Sequence, residues 1–398
     1  MPPKILLLSN ESPHSGAAGA IVLLRLFAGY PADRLVVVSN QPVPPEARRL
    51  EFPYYFLPLA VDRLQRTRFW RWRIAGRVLG GAALLRLDRL DSLLAGFQPD
   101  VVVTVMQDSW YYDLAARYAR CHRLPLVLLV HDDPRGFEPV WDPLRGLQTS
   151  RDRAVYTQAV RRFCISGPMA ERFRLDFGVT GEVLPPPRSD TVPHQMPEAC
   201  RRLRQPGRLT LGHAGGLHYG YGEQLQQMLP VLRATGTVVE LFGPRPAGIL
   251  APLAAATDVL HFHGYAPTPE AAWQGILEHC DAVLLPYLNP PGPHARQYRT
   301  HFPSKLGDCL SLGVPLLVTG PDFASGLAWC RGQGDVAWCV SNPEPAELGV
   351  ALEQLRDSGD RRVSLATRAQ AAATAFDAAP LRELLATSLA AAATANSP

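Results

Sequence analysis

Lys305 is the residue whose type is hardest to explain by composition. Lys4 and Lys305 are the only lysines in the chain, and the other 38 of 40 basic residues are arginine. A sequence that takes arginine wherever either cation serves keeps lysine where a compact ammonium is needed. Lys305 lies in His301-Phe-Pro-Ser-Lys-Leu-Gly-Asp308, where Ser304 is suited to cap a helix over 305–312 and Gly313 to end it, with Pro315 following. A helix start beside an ammonium suits an anion such as a phosphate. Asp308, three residues on, falls on nearly the same helical face and could accept hydrogen bonds from a vicinal diol. The same spacing also fits a surface ion pair between Lys305 and Asp308, worth a few tenths of a kcal/mol.

Other stretches carry polar groups where strands should end. The loop 289–300 brings Arg296 and Arg299 among prolines and glycine, as an anion site or a solvated loop would. Leu209-Thr-Leu-Gly-His-Ala-Gly-Gly-Leu-His-Tyr-Gly-Tyr-Gly-Glu223 runs from a strand into glycines and then a helix. Gly215 and Gly216 could let backbone approach a diphosphate, or simply turn the chain. Ser12-Pro-His-Ser-Gly-Ala-Ala-Gly19 follows the first strand, and His131-Asp132-Asp133 ends another. Arg66-Thr-Arg-Phe-Trp-Arg-Trp-Arg-Ile-Ala-Gly-Arg77 interleaves five arginines (Arg66, Arg68, Arg71, Arg73, Arg77) with Phe69, Trp70 and Trp72. That pattern suits an anionic membrane surface, and a partly solvated helix packed on its own domain would read alike.

These residues must be positioned by an α/β scaffold. Ile5–Ser9, Leu35–Ser39, Val101–Val105, Leu126–His131 and Arg162–Ser166 are continuous apolar runs, as strands covered on both faces require. Helices are predicted over 17–29, 76–95, 110–121 and 168–177, giving a doubly wound parallel sheet. The prolines of 185–206 interrupt the pattern and read as a linker. Strands at 208–213, 237–242, 258–263, 281–286, 314–319 and 335–340 then repeat the logic, with helices between them and from Pro345 to about Leu355. The expected organisation is an N-terminal Rossmann-like domain (1–184), the linker (185–206), a second Rossmann-like domain (207–375) and a helical tail (376–398) packing back on the first. Two such domains facing across a cleft would bind ligands at the carboxyl ends of their strands.

Bulk properties agree. At 398 residues the chain suits two domains of roughly 180–200 residues. It is 47% hydrophobic with mean hydropathy −0.04, and no apolar run reaches the roughly 18 residues of a membrane span. The opening apolar run meets Asn10-Glu11 too soon for a signal peptide, so a cytoplasmic protein is expected. Seven cysteines without a Cys-x-x-Cys pair read as reduced structural thiols, and no metal site is expected. A net charge of +4 gives no argument for nucleic acid.

At these residues the chain resembles GT-B glycosyltransferases of the family 4 type. Phe163-Cys-Ile-Ser166 through Val183-Leu-Pro-Pro, Leu241-Phe-Gly-Pro244, Phe262-His-Gly-Tyr265, Asp281–Tyr287 and Phe302-Pro-Ser-Lys-Leu-Gly-Asp308 carry the likeness. The resemblance implies a nucleotide-sugar donor on the second domain, with Gly264 and Tyr265 near the base and Asp308 near the ribose. Gly16, Gly19, Pro303, Ser304 and Lys305 would lie near the diphosphate, and His131 at the donor sugar. It also implies retention of configuration and no metal, because backbone amides and cations stabilise the leaving diphosphate.

The departures concern charge. Gly216 and Tyr221 stand where the family often carries an Arg and a Lys, and Thr300 stands where it has the first of two carboxylates. Arg299 or Arg296 could supply the lost charge. Two function classes stay open. One is a transferase acting on a glycan, lipid carrier or small molecule, with peripheral membrane contact through Arg66, Arg68, Trp70, Arg71, Trp72 and Arg73. The other is a GT-B-like binding protein that has lost turnover. A GT-B epimerase or phosphorylase lacks visible support for its extra catalytic residues.

Overall fold

The continuous Val/Leu/Ile runs form two parallel sheets, each with its own core. The computed structural model describes residues 1–58, 87–107, 111–137, 145–218, 220–246, 248–289, 292, 295–341 and 344–395. The segment Arg66–Arg77 lies outside the described residues. The chain divides into two units: Met1–Pro185 with Thr300–Phe302 and Ala378–Pro398, and Pro186–Arg299 with Pro303–Asp377.

Unit 1 holds a seven-stranded sheet, order β3-β2-β1-β4-β5-β6-β7. Its strands are β1 (Ile5–Leu8), β2 (Leu35–Ser39), β3 (Tyr54–Phe56), β4 (Val101–Met106), β5 (Leu126–Val130), β6 (Arg161–Cys164) and β7 (Glu182–Val183). Strand β1 is hydrogen-bonded to β2 on one side and β4 on the other, with Ile5 opposite Leu35 and Val101. The order therefore reverses between β1 and β4, the switch point where ligands of such sheets bind. Pairing of β1 with β4 ends at Leu7↔Val103. Beyond it the strands part, and the Thr104 hydroxyl donates to the Leu8 carbonyl at 2.7 Å.

The C-terminal helix Ala378–Thr394 completes this unit, because Leu381, Leu385, Leu389 and Ala392, a helical-period stripe, join the core of Ile5, Leu7, Val103 and Leu129. The short edge strands β3 and β7, with exposed Phe56 and Val183, lack a full apolar run, so periodicity does not reveal them.

Unit 2 holds six strands, order β10-β9-β8-β11-β12-β13. They are β8 (Thr210–Ala214), β9 (Val238–Phe242), β10 (Leu260–Phe262), β11 (Ala282–Pro286), β12 (Leu316–Gly320) and β13 (Trp338–Ser341). Here the order reverses between β8 and β11, whose pairing covers only Leu211↔Ala282 and Gly212↔Val283. Helix Tyr221–Thr235 follows β8, and its Leu225, Met228 and Leu232 pack into a core with Leu211, Val239 and Leu284. Thr268 caps helix Pro269–His279 by accepting from Ala271 N–H at 3.1 Å.

Two expectations change here. Residues 186–206 are part of unit 2 rather than a linker: the turn Pro197–Arg201 is tied to helix Gly359–Ala372 by Arg362, which is 3% exposed. Arg362 donates to the carbonyls of Cys200, Arg201, Leu355 and Arg356 at 2.6–2.8 Å. The unit boundary also passes through 300–303, so Thr300, His301 and Phe302 group with unit 1 while Lys305 belongs to unit 2. Among the described residues no helix is long and apolar enough to cross a membrane.

Arg362→Met removes a buried charge and strands four carbonyls. It should destabilise unit 2 by about 2–4 kcal/mol, read as a lower denaturant midpoint. An unchanged midpoint would mean the guanidinium is dispensable.

Candidate functional site

In unit 2 the polar groups gather where β8 and β11 part. His213, on β8 and 1% exposed, turns its Nδ1 to the Leu284 carbonyl of β11 at 3.1 Å. In the tautomer that donates Nδ1–H to this carbonyl, Nε2 keeps a lone pair. Lys305 Nζ lies 3.3 Å from that Nε2 and donates to the Ala214 carbonyl at 2.7 Å. It also sits over the Tyr221 ring, 5.1 Å from the centroid, a favourable contact for a cation. The position expected to carry a lysine in the resembled family thus carries the ring that receives Lys305.

Burial lowers the Lys305 pKa to about 8. It lowers His213 to about 3, and the neighbouring ammonium adds to that shift. His213 is therefore neutral at pH 7 and acts as acceptor, while Lys305 is largely protonated. Among the described residues no carboxylate acts on the lysine, so no ion pair with them cancels the ammonium's charge.

The glycines beside it are sterically required. Gly215 has φ +102 and donates its N–H to the Phe242 carbonyl at 2.8 Å. A Cβ on Gly215 would lie 3.6 Å from Lys305 Nζ, and one on Gly243 would lie 2.2 Å from the Gly215 carbonyl oxygen. One on Gly216 would strike the His218 ring at 2.7 Å. Gly220, at φ 85, starts helix Tyr221–Thr235 with no side-chain cap.

The helix after Lys305 differs from expectation. It spans Leu306–Ser311, Lys305 itself is the N-cap residue, and Ser304 makes no capping bond. Asp308 is 2% exposed. Its carboxylate accepts from Ser189 N–H at 2.8 Å and Trp273 Nε1 at 3.3 Å. It is thus a strut tying 189 to helix Pro269–His279, neither a surface partner of Lys305 nor, in this arrangement, a group offered to a diol. Pro303 packs against Gly326, and Arg299 is exposed and stacks on Phe323 at 4.3 Å. Gly264 has φ +79, and Tyr265 after it is 80% exposed. The Arg296 side chain lies outside the described residues.

In unit 1 the strand ends at the other switch point carry Glu11, Gln107, His131 and Asp132. His131 follows β5, is 8% exposed, and its Nδ1 has no hydrogen-bond partner among the described residues. Burial lowers its pKa to about 4, so it is neutral. Glu11 escapes a motif search because it reads only as the polar end of β1. Its carboxyl receives a long hydrogen bond from Gln107 Nε2 (3.4 Å). Burial, then the charge of Asp132, raises its pKa to about 7 against the lowering effect of that bond. Gly19 leaves room for it, since a Cβ there would lie 1.8 Å from Glu11 Oε2. Gly16 donates its N–H to His14 Nδ1 at 2.9 Å. Asp132 meets His301 Nδ1 at 3.2 Å.

The loop after His131 is braced by Arg135, which bonds Asp133 and Asp176 and lies over Phe173 and Phe177. Among the described residues no group of three or more His, Cys, Asp or Glu could hold a metal ion.

Comparison with known proteins fits this geometry. Residues 22–188 match the model of Glycosyltransferase Family 4. HepE of Anabaena, solved with UDP and glucose, shares 16% identity over 98% of this chain and 99% of its own, with TM-score 0.64. The α,α-trehalose 6-phosphate synthase of Burkholderia multivorans shares 15% over 99% and 98%, with TM-score 0.62. Sucrose-phosphate synthase of Thermosynechococcus elongatus shares 11% over 96% and 98%, with TM-score 0.65. A search of curated proteins by sequence gives no match. The chain has the GT-B fold, and the resemblance to glycosyltransferases of family 4 type expected from the sequence is borne out over residues 22–188.

Two outcomes test the local chemistry. Gly243→Ala should displace Gly215 and lower the thermal midpoint of unit 2, whereas Gly332→Ala, with open space around its Cβ and no positive φ, should leave the midpoint unchanged. For Glu11 the sign runs against high pH. An unfolded glutamate releases its proton near 4.5 and the folded one near 7, so stability falls as pH rises through that window. Glu11→Gln should therefore raise the thermal midpoint at pH 8 and leave it near wild type at pH 4.5. Equal effects at both pH values would contradict the assigned shift.

Proposed function

We propose that the chain transfers a sugar from a nucleoside-diphosphate sugar, held by unit 2, to a hydroxyl acceptor, with retention and without a metal ion. The observation that carries the reading is Lys305, an ammonium with no carboxylate partner among the described residues, fixed at the β8/β11 switch point beside Gly215. Departure of a nucleoside diphosphate builds negative charge on the phosphate oxygens. A cation already in place stabilises that charge without reorganising, an effect of roughly 3–4 kcal/mol for one such donor. His213 and the Ala214 carbonyl hold the lysine, and Gly215 and Gly216 leave backbone accessible beside it. A neutral His131 can accept a hydrogen bond from a sugar hydroxyl. HepE was solved with UDP and glucose, which makes UDP the first nucleotide to try.

A binding protein without turnover is favoured by one feature: Gly216 and Thr300 replace charged groups of the resembled family. Nucleotide binding with no transfer to any acceptor would select it.

Lys305→Met keeps the length of the side chain and removes the charge. It should lower nucleoside-diphosphate affinity by about 10–100-fold, as for loss of a hydrogen bond to a charged group, with unchanged circular dichroism. Calorimetric titration of both proteins, with chelator present, reads this directly. Equal affinities would remove Lys305 from the donor site.

A further inference from the structure

We propose that a cavity at the amino ends of β5 and β6, at the end of the unit 1 sheet opposite its switch point, binds a phosphate group through Arg120 and Arg123. The inference goes beyond the donor reading and does not depend on it. Helix Tyr111–Cys121 ends shortly before β5, and helix Arg145–Gln158 shortly before β6. Between these two helix ends lies a cavity of about 520 Å³, whose polar lining is Arg120, Arg123, Thr157 and Gln158. Gln158 ties the helices together, its Nε2 donating to the Ala116 carbonyl at 2.7 Å. The Thr157 hydroxyl donates to the Arg153 carbonyl at 2.8 Å. The two guanidiniums are the cations of this lining, and both arginines are exposed, so an ion can reach them.

Arg123 stands where an arginine is costly. Its φ is +54, and among the described residues every other positive φ belongs to a glycine. Leu124 N–H donates to the Ala119 carbonyl at 2.8 Å and Arg123 N–H to the Arg120 carbonyl at 3.3 Å. That pair of bonds closes a helix on a left-handed residue, and glycine is usual there because a Cβ crowds the next carbonyl. Offsetting the negative helix end does not call for position 123, since Arg120 already stands in the last turn, within the helix. A second guanidinium beside the first adds repulsion unless an anion lies between them. Asp91 is engaged instead by His122 Nε2, at 3.1 Å. The two forks select the ligand. A carboxylate has one pair of oxygens, which a single guanidinium satisfies. A phosphate monoester brings three acceptor oxygens and nearly two charges, enough for both.

The test is calorimetric titration of inorganic phosphate, with acetate as the comparison, into the full chain at low salt. The chain carries Lys305→Met, so that the anion site proposed in unit 2 does not report. Phosphate should bind saturably and more tightly than acetate. Arg120→Gln and Arg123→Gly should each weaken it roughly tenfold, the scale of one lost hydrogen bond to a charged group. Arg123→Gly should do so with a thermal midpoint no lower than the parent's, because glycine fits the left-handed turn. Vesicles containing phosphatidic acid form the second arm. Co-sedimentation that both substitutions weaken places the phosphate on a lipid. Phosphate binding without such co-sedimentation places it on a soluble ester. No saturable phosphate binding, equal affinity in the variants, acetate bound as tightly, or a lower midpoint for Arg123→Gly would each overturn the proposal.

Discussion

An uncancelled ammonium at the end of a parallel strand is the constraint on which unit 2 is organised. Lys305 has no carboxylate acting on it among the described residues, and burial brings its pKa to about 8. Such a charge stays protonated only because neutral acceptors surround it. The Ala214 carbonyl, the lone pair of His213 and the face of Tyr221 supply them. Each depends on the early end of β8–β11 pairing at Gly212↔Val283. If the strands had stayed paired through His213 and Leu284, the imidazole could not reach across and the lysine would have no cradle. Keeping the charge unpaired costs stability, and the proposed anion site would account for that cost.

Unit 1 uses the same break in a doubly wound sheet with different chemistry. There Thr104 bridges the parting strands, and the groups beyond are carboxyl, amide and imidazole rather than ammonium. One unit thus offers a positive point charge and the other a polar surface with acidic character. The difference arises from single residues after strand ends, while the sheets beneath are built from the same Val/Leu pattern.

Much of this was legible in the sequence. The continuous apolar runs located the central strands within one or two residues, because strands covered on both faces leave little choice of composition. Lys305 stood out against an arginine background, and His131, Gly215 and Gly216 fell at strand ends. The carboxyl and diol chemistry was less legible. Asp308 at i+3 from Lys305 looked like a partner or a ligand group, but Ser189 and Trp273, distant in sequence, claim it. Glu11 carried no signal because its raised pKa comes from burial and from Asp132, neither visible in one dimension. The proline-rich 186–206 read as a linker because proline excludes regular elements, although it does not exclude packing, as Arg362 demonstrates.

The central claim is that Lys305 is poised to give its charge to a diphosphate. The most direct measurement is calorimetric titration of UDP at pH 8 in two buffers of different ionisation heat. An anion that engages Lys305 must raise its pKa, so binding should take up part of a proton at pH 8, and Lys305→Met should abolish that uptake. Tight binding with no proton uptake at pH 8 would contradict the account, because the anion would then be held without recruiting the lysine's charge.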